Sequence, residues 1–198
     1  MTQEKFISLF SDAEAELKRN FGNLPVVFET KIVEYFLRFG DRCALFKIFK
    51  KNGKLICQIV QGIPPSQHSI GLTEPLDYHP DIASTVRMKE PFFVKEPLKC
   101  PETRYFSDII CRYNINQILY VPVFLTGKET ECVVTIDICG QKGFELIDIN
   151  FCISLEELFS FYWWKEKFPN GCWDDFINHR DMNGFFCSLF TSAYMATC

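Results

Sequence analysis

Asp137 is the residue whose placement first suggests chemistry. It puts a carboxylate in the apolar run Val133-Val134-Thr135-Ile136-Asp137-Ile138-Cys139, where an ionised group must face either water or a pocket. The other reactive groups read differently. The chain has ten cysteines, but most, among them Cys43, Cys57, Cys132, Cys139 and Cys152, sit inside apolar runs, where a free thiol behaves as a small hydrophobe. There is no C-x-x-C, and His68, His79 and His179 fall at no zinc-ligand spacing from the cysteines, so no metal site is expected. Glu156-Glu157 and Asp174-Asp175 are adjacent pairs on helical patterns. Their side chains diverge by about 100°, cannot share a substrate, and read as solvated faces. The G-x-S-x-G, G-x-x-x-x-G-K-[ST], H-E-x-x-H and G-x-G-x-x-G motifs are all absent.

The elements that would position these groups follow from periodicity. Phe6, Leu9, Phe10, Ala13, Leu17 and Phe21 form the stripe of an amphipathic helix that ends near Gly22. A second helix starts after Pro25 and stops at Gly40. Residues 42–49 and 54–61 flank Asn52-Gly53 and read as an antiparallel hairpin. Residues 62–75, with Pro64-Pro65 and Gly71, read as a loop, and residues 80–88 as a short helix opened by Pro80-Asp81. Then come a short strand (Phe92-Phe93-Val94), a Pro-bounded loop, a helix over 107–113, and strands over 117–125 and 131–139 joined by Thr126-Gly127-Lys128. A long helix over 148–168 has acidic residues early and Lys165 and Lys167 late, as the helix dipole favours. From Pro169 on, the apolar content suggests two short helices broken at Asn183-Gly184.

A chain of 198 residues with 47% hydrophobic residues and 21 Phe supports one domain with an aromatic-rich core. The net charge of -4 gives no attraction for phosphate backbones or anionic lipid. Lys47, Lys50, Lys51 and Lys54 surround the hairpin turn as a solvated edge. The start MTQEKFISLF lacks the features of a signal peptide, and the most apolar window, 151–164, is interrupted by Glu156 and Glu157. The expectation is a cytoplasmic protein with neither nucleic acid nor membrane as partner.

Three segments then carry a family resemblance: Arg87-Met88-Lys89-Glu90-Pro91-Phe92-Phe93-Val94, the strand Ile118-Leu119-Tyr120-Val121-Pro122-Val123, and the strand 133–137. In this order, over residues 25–167, the chain resembles the GAF family of small-molecule sensor domains. It departs from that pattern at Glu131-Cys132, where the family places a glycine, and at Asn116-Gln117, where it places a serine. The resemblance implies an α+β fold: a central antiparallel sheet of five or six strands, with the terminal helices on one face and a ligand pocket on the other, beneath residues 64–87 and 95–113. On that basis the chain divides into an N-terminal helix (1–24), a GAF-like sensor domain (25–168) and a helical tail (169–198). Arg104, Tyr105, Phe106, Asp108, Thr135 and Asp137 are the candidate ligand-binding residues; no ligand or cofactor is assigned.

Two alternatives stay open. The chain also resembles the free methionine sulfoxide reductase branch of the family, which implies thiol chemistry at Cys111, ahead of Val121-Pro122, with Arg112 as the adjacent cation and Cys100 as a resolving thiol. That branch's loop cysteine has no counterpart in residues 62–71, and its glutamate before the Val-Pro strand is Gln117 here. The second alternative is a ligand-free dimeric module that pairs the stripes Phe6/Leu9/Phe10/Ala13/Leu17 and Ile153/Leu158/Tyr162 with those of a second copy. In the sensor reading, the terminal helices pass the response to a homodimer or to an output protein.

Overall fold

Asn52 and Gly53 both adopt left-handed backbone conformations, φ 52° and 77°, and so close the tight turn between β1 (Arg42–Lys51) and β2 (Lys54–Ile63). In the computed structural model, which describes residues 3–124, 131–140, 143–144 and 146–180, this hairpin lies in a six-stranded antiparallel sheet. The other strands are β3 (Thr73–Pro75), β4 (Phe92–Val94), β5 (Ile115–Val123) and β6 (Cys132–Cys139), and the order is β3-β2-β1-β6-β5-β4. The expected turn at Thr126-Gly127-Lys128 lies outside the described residues. β3 corrects the loop expected over 62–75: three residues ending in a proline carry no periodic signal, yet they pair with Ile56, Cys57 and Gln58 at the sheet edge.

Strand alternation sorts the core into two layers. On one face, Cys43 and Leu45 of β1, Leu119, Val121 and Val123 of β5, and Val134 and Ile136 of β6 meet three helices. These are α1 (Gln3–Arg19), α2 (Leu24–Phe36) and α5 (Leu146–Lys167), which contribute Leu9, Ala13, Phe28, Ile32, Phe36, Leu155 and Phe159. On the other face, Ile48, Ile118, Tyr120 and Val133 meet Ile82 of α3 (Pro80–Met88) and Ile110 of α4 (Ser107–Tyr113). The terminal helices thus share one face, with α3 and α4 on the opposite one. A register shift between Ile115 and Gln117 lets both Ile115 and Ile118 join the second layer.

The apolar stripe of α1 is buried within the chain, since Phe6 stacks on Phe151 of α5 with ring centroids 3.7 Å apart and Tyr162 Oη donates to Glu14 Oε1 at 3.2 Å. Helix α5 is covered on several sides, which corrects the solvated reading of Glu156 and Glu157: they are only 2% and 9% exposed. Glu156 Oε1 accepts from Phe124 N at 3.2 Å and from Ser160 Oγ at 2.6 Å, so this carboxylate ties α5 to the end of β5. Asp174 and Asp175 are exposed, and Asp175 Oδ2 accepts from Cys172 N at 2.9 Å near the start of α6 (Trp173–Arg180). Trp173 and Phe176 of α6 pack on Phe161 of α5. The second tail helix expected after Asn183-Gly184 lies outside the described residues. Among the described residues no helix is long and apolar enough to cross a membrane.

Phe159, fully buried between Phe28 and Tyr35, is the aromatic centre of the helical layer. Phe159→Ala is expected to destabilise the fold by about 3–5 kcal/mol, read from the urea midpoint at unchanged slope.

Candidate functional site

Register assembles the site. β1 and β6 pair with Arg42 opposite Asp137 and Ala44 opposite Thr135, while β5 sets Tyr120 opposite Thr135 from the other side. Because alternate residues share a face, Arg42, Ala44 and Phe46, Thr135 and Asp137, and Ile118 and Tyr120 all project to the α3/α4 side. They form the floor of a cavity of about 180 Å³. Its walls come from the segment after β2 (Gln67, His68, Ser69, Leu72, Glu74), from His79 with Asp81 and Ile82 at the start of α3, and from Phe106, Ile109 and Ile110 around α4. The mixture of mostly apolar walls and a few convergent polar groups is typical of a small-molecule site.

The polar groups form a connected set. Arg42 Nη1 donates to Asp137 Oδ2 at 2.5 Å and Nη2 donates to the Gln67 carbonyl at 3.0 Å, while the guanidinium carbon sits 4.4 Å from the centre of the Tyr113 ring. Burial pushes the Asp137 carboxyl up to about 6; the Arg42 charge pulls it down and Asp81 adds to the rise. Asp81 is also raised, chiefly by burial, although the Tyr120 hydroxyl and the Ile82 amide bond its carboxylate. Tyr120 in turn is raised well above its ordinary value by burial and by Asp81. His68 is lowered to about 4 by burial and by the Arg42 charge, so it is neutral at pH 7. A Cβ at Gly62 would lie 2.6 Å from His68 Cγ, so only glycine lets this ring pack flush on β2. His79 Nε2 lies 2.9 Å from Glu74 Oε2, and its ring stacks on Phe106 at 5.4 Å.

Around the cavity, three buried polar atoms among the described residues have no hydrogen-bond partner: Arg42 Nε, Gln67 Oε1 and Asp81 Oδ1. All three belong to residues that line the cavity, and Arg42 and Asp81 are only 5% and 4% exposed. An orphaned buried donor or acceptor costs about 1–3 kcal/mol, so the polar framework around the cavity is held at a cost to stability.

Of the residues singled out in the sequence, Phe106, Thr135 and Asp137 come together in the lining. Arg104, Tyr105 and Asp108 lie outside it; Tyr105 is 78% exposed and Asp108 is exposed on α4. Cys111 is exposed on α4, and Cys100 Sγ donates to Glu102 Oε2 at 3.0 Å. Burial, with Glu102 second, raises the Cys100 thiol, and none of the described cysteines lines the cavity. Arg42, Asp81, Tyr120, His79, His68 and Gln67 escape sequence reasoning. Arg42 looks like the polar start of a strand, and Asp81 like an ordinary acid in the first turn of a helix. Among the described residues no group of three or more His, Cys, Asp or Glu is placed to hold a metal ion.

Asp137→Leu should cost about 3–5 kcal/mol, because it strands a buried guanidinium, and Arg42→Met in the same chain should restore most of the loss. The conservative Asp137→Asn keeps an acceptor but removes the titration. Since the folded carboxyl is raised to about 6 from an unfolded value of about 3.9, its stabilising contribution is full below pH ~4 and is lost as pH rises through ~6. The parent's stability relative to Asp137→Asn is therefore expected to fall across that window in urea titrations at a series of pH values.

The sequence matches no protein-family model and no curated protein. Solved structures do match. The GAF domain from a phosphoenolpyruvate-protein phosphotransferase of Coxiella burnetii superposes with a TM-score of 0.61 at 14% identity, over 81% of this chain and 95% of that one. A phycocyanobilin-bound GAF domain from a cyanobacterial phytochrome gives 0.60 at 14% identity, over 87% and 99%. The GAF domain of a two-component sensor histidine kinase from Bacillus halodurans gives 0.52 at 17% identity, over 86% and 99%. The element order, the six-stranded sheet and the placement of the helices agree with these neighbours: the chain has the GAF-domain fold.

Proposed function

We propose that this GAF-fold chain is a sensory or regulatory domain that binds a small molecule in the cavity between the sheet and α3/α4. One observation carries the reading: a mostly apolar cavity of about 180 Å³ on the α3/α4 face of the sheet brings the buried Arg42–Asp137 pair together with Asp81 and Tyr120. The setting supports it, since a GAF neighbour with a phycocyanobilin bound shares the fold. Arg104 and Tyr105, just before α4, and Asp108, in its first turn, would then act from outside the lining, and Phe106, Thr135 and Asp137 inside it.

The route of the signal follows from the strands. β6 presents Thr135 and Asp137 to the cavity and Val134 and Ile136 to the terminal helices. A ligand that resets Asp137 therefore bears on a strand already packed against α1, α2 and α5, and binding shifts an existing equilibrium in how those helices sit. In this reading the chain works in the cytoplasm, with α1 and α5 passing the change to a second copy or to an output protein.

The test is a thermal-shift screen of nucleotides, nitrate-like anions, amino acids and tetrapyrroles. A ligand at a hundred times its Kd adds about 2.7 kcal/mol, which should raise the midpoint of a chain this size by about 5–10 °C. The shift should vanish in Arg42→Met/Asp137→Leu. Absence of any stabilising compound would sink the reading.

A further inference from the structure

The lining of the cavity carries more negative charge than positive. Three carboxylates, Glu74, Asp81 and Asp137, belong to it, whereas Arg42 is its single Lys or Arg. His68, lowered to about 4 by burial and by the Arg42 charge, adds no second cation at neutral pH, and a protonated His79 would still leave three negative groups against two positive ones. The excess bears most directly on Asp137. Arg42 Nη1 takes Oδ2 of this carboxylate; Oδ1 accepts no hydrogen bond among the described residues and is not one of the fully enclosed atoms. The residue is only 7% exposed, so the surface this oxygen keeps opens on the cavity that Asp137 lines. Burial holds the carboxyl up although the Arg42 charge opposes it, so the guanidinium does not fully compensate this group.

Around these charges the walls are apolar and aromatic. Phe46 and Phe106 flank His79, with ring centroids 6.1 and 5.4 Å from the imidazole, and the exposed Leu72 and Ile109 add aliphatic surface to the lining. A charge acts through space, and more strongly between low-dielectric walls than in water, so the sign of a bound molecule is selected without any direct hydrogen bond. An anion would be repelled by the excess of carboxylate, and a neutral molecule would leave that excess uncompensated. An organic cation would neutralise it, rest its apolar body on the Phe46 and Phe106 wall, and gain the attraction of a ring face for positive charge.

We propose that the cavity takes an organic cation, an ammonium group on an apolar or aromatic body, with the charge held between Asp137 and Glu74. This rests on the ligand-binding reading and names its ligand class. Glu74, whose Oε2 lies 2.9 Å from His79 Nε2, keeps a side chain 36% exposed and supplies the outer negative group. Proton and cation compete for the same carboxylates. With Asp137 raised to about 6, affinity should grow about tenfold from pH 5 to pH 7 as this group ionises. The other charged or titratable groups around it are Arg42 and Cys43 on β1, Tyr120 on β5, Cys139 on its own strand, Asp81 and His79 on α3, Glu74 on β3, His68 after β2, and Tyr113 of α4 over the guanidinium. Burial raises Cys43, Cys139 and Tyr120, which stay neutral across this range.

The test titrates the full chain with phenethylammonium, 2-phenylethanol and phenylacetate, which share a phenyl ring on a short arm and differ in charge, by isothermal titration calorimetry at pH 5, 6 and 7. Phenethylammonium is expected to bind, and the neutral and anionic compounds to bind at least roughly tenfold more weakly at pH 7. Asp137→Asn should weaken phenethylammonium roughly tenfold and flatten its pH profile, which assigns that profile to Asp137 rather than to Asp81, Glu74 or His79. Glu74→Gln, at a partly exposed position where folding does not depend on the charge, should weaken it roughly threefold. Parent affinity in either variant overturns the assignment. So does an affinity that fails to rise from pH 5 to pH 7, or binding of 2-phenylethanol or phenylacetate at or above the strength of phenethylammonium. If none of the three binds while a compound of the broader screen does, the cation assignment falls and the sensory reading stands. If nothing in either set binds, both fall.

Discussion

The buried pairing of Arg42 with Asp137 is the constraint on which the rest of the site depends. Taking two charges out of water costs several kcal/mol each, and their attraction repays this only when the geometry is held. Here the sheet holds it: the two residues are direct cross-strand partners on β1 and β6. Slipping one of these strands by one residue would turn its charged side chain into the apolar layer under α1, α2 and α5 and leave both charges unpaired. The pair therefore specifies register as well as occupying the cavity floor. Its repayment is incomplete, since the Asp137 carboxyl stays raised despite the guanidinium beside it.

The same geometry makes the sheet a two-sided device. Thr135 and Asp137 of β6 belong to the cavity and Val134 and Ile136 between them to the helical layer, so neither face can rearrange without the strand. Glu156 strengthens the link by fastening α5 to the backbone at the end of β5. Glu166 does the same at the other end of that helix, accepting from the amides of Gly22 and Leu24 where α2 begins. The terminal helices are thereby bound to one another and to the sheet through carboxylate-to-amide contacts, which are stronger than neutral hydrogen bonds.

Much of the fold was legible because its signals are local. Asn52-Gly53 has the backbone freedom a tight hairpin needs, Pro80-Asp81 opens α3, and the stripe of α1 repeats at the helical period. The strand β3 was not, because three residues at an edge have no period to detect. Glu156 and Glu157 looked solvated because adjacency on a helix says nothing about how many neighbours cover it. The site was legible only in part. Thr135 and Asp137 stand out as polar residues inside an apolar strand, whereas Arg42, Asp81 and His68 look ordinary in their own segments.

The sequence by itself determined the elements, their order and the two-residue alternation that gives β1, β5 and β6 distinct faces, since these follow from turn chemistry and periodicity within short windows. It also singled out Asp137, whose charge conflicts with its neighbours wherever the strand is placed. Only the tertiary structure decided which face that charge occupies, that Arg42 from ninety-five positions away answers it, and that Asp81 and Gln67 are left with atoms unmet beside it. The reason is physical: burial and hydrogen-bond completion are properties of what surrounds a group in space, and no local pattern encodes the arrival of a distant partner.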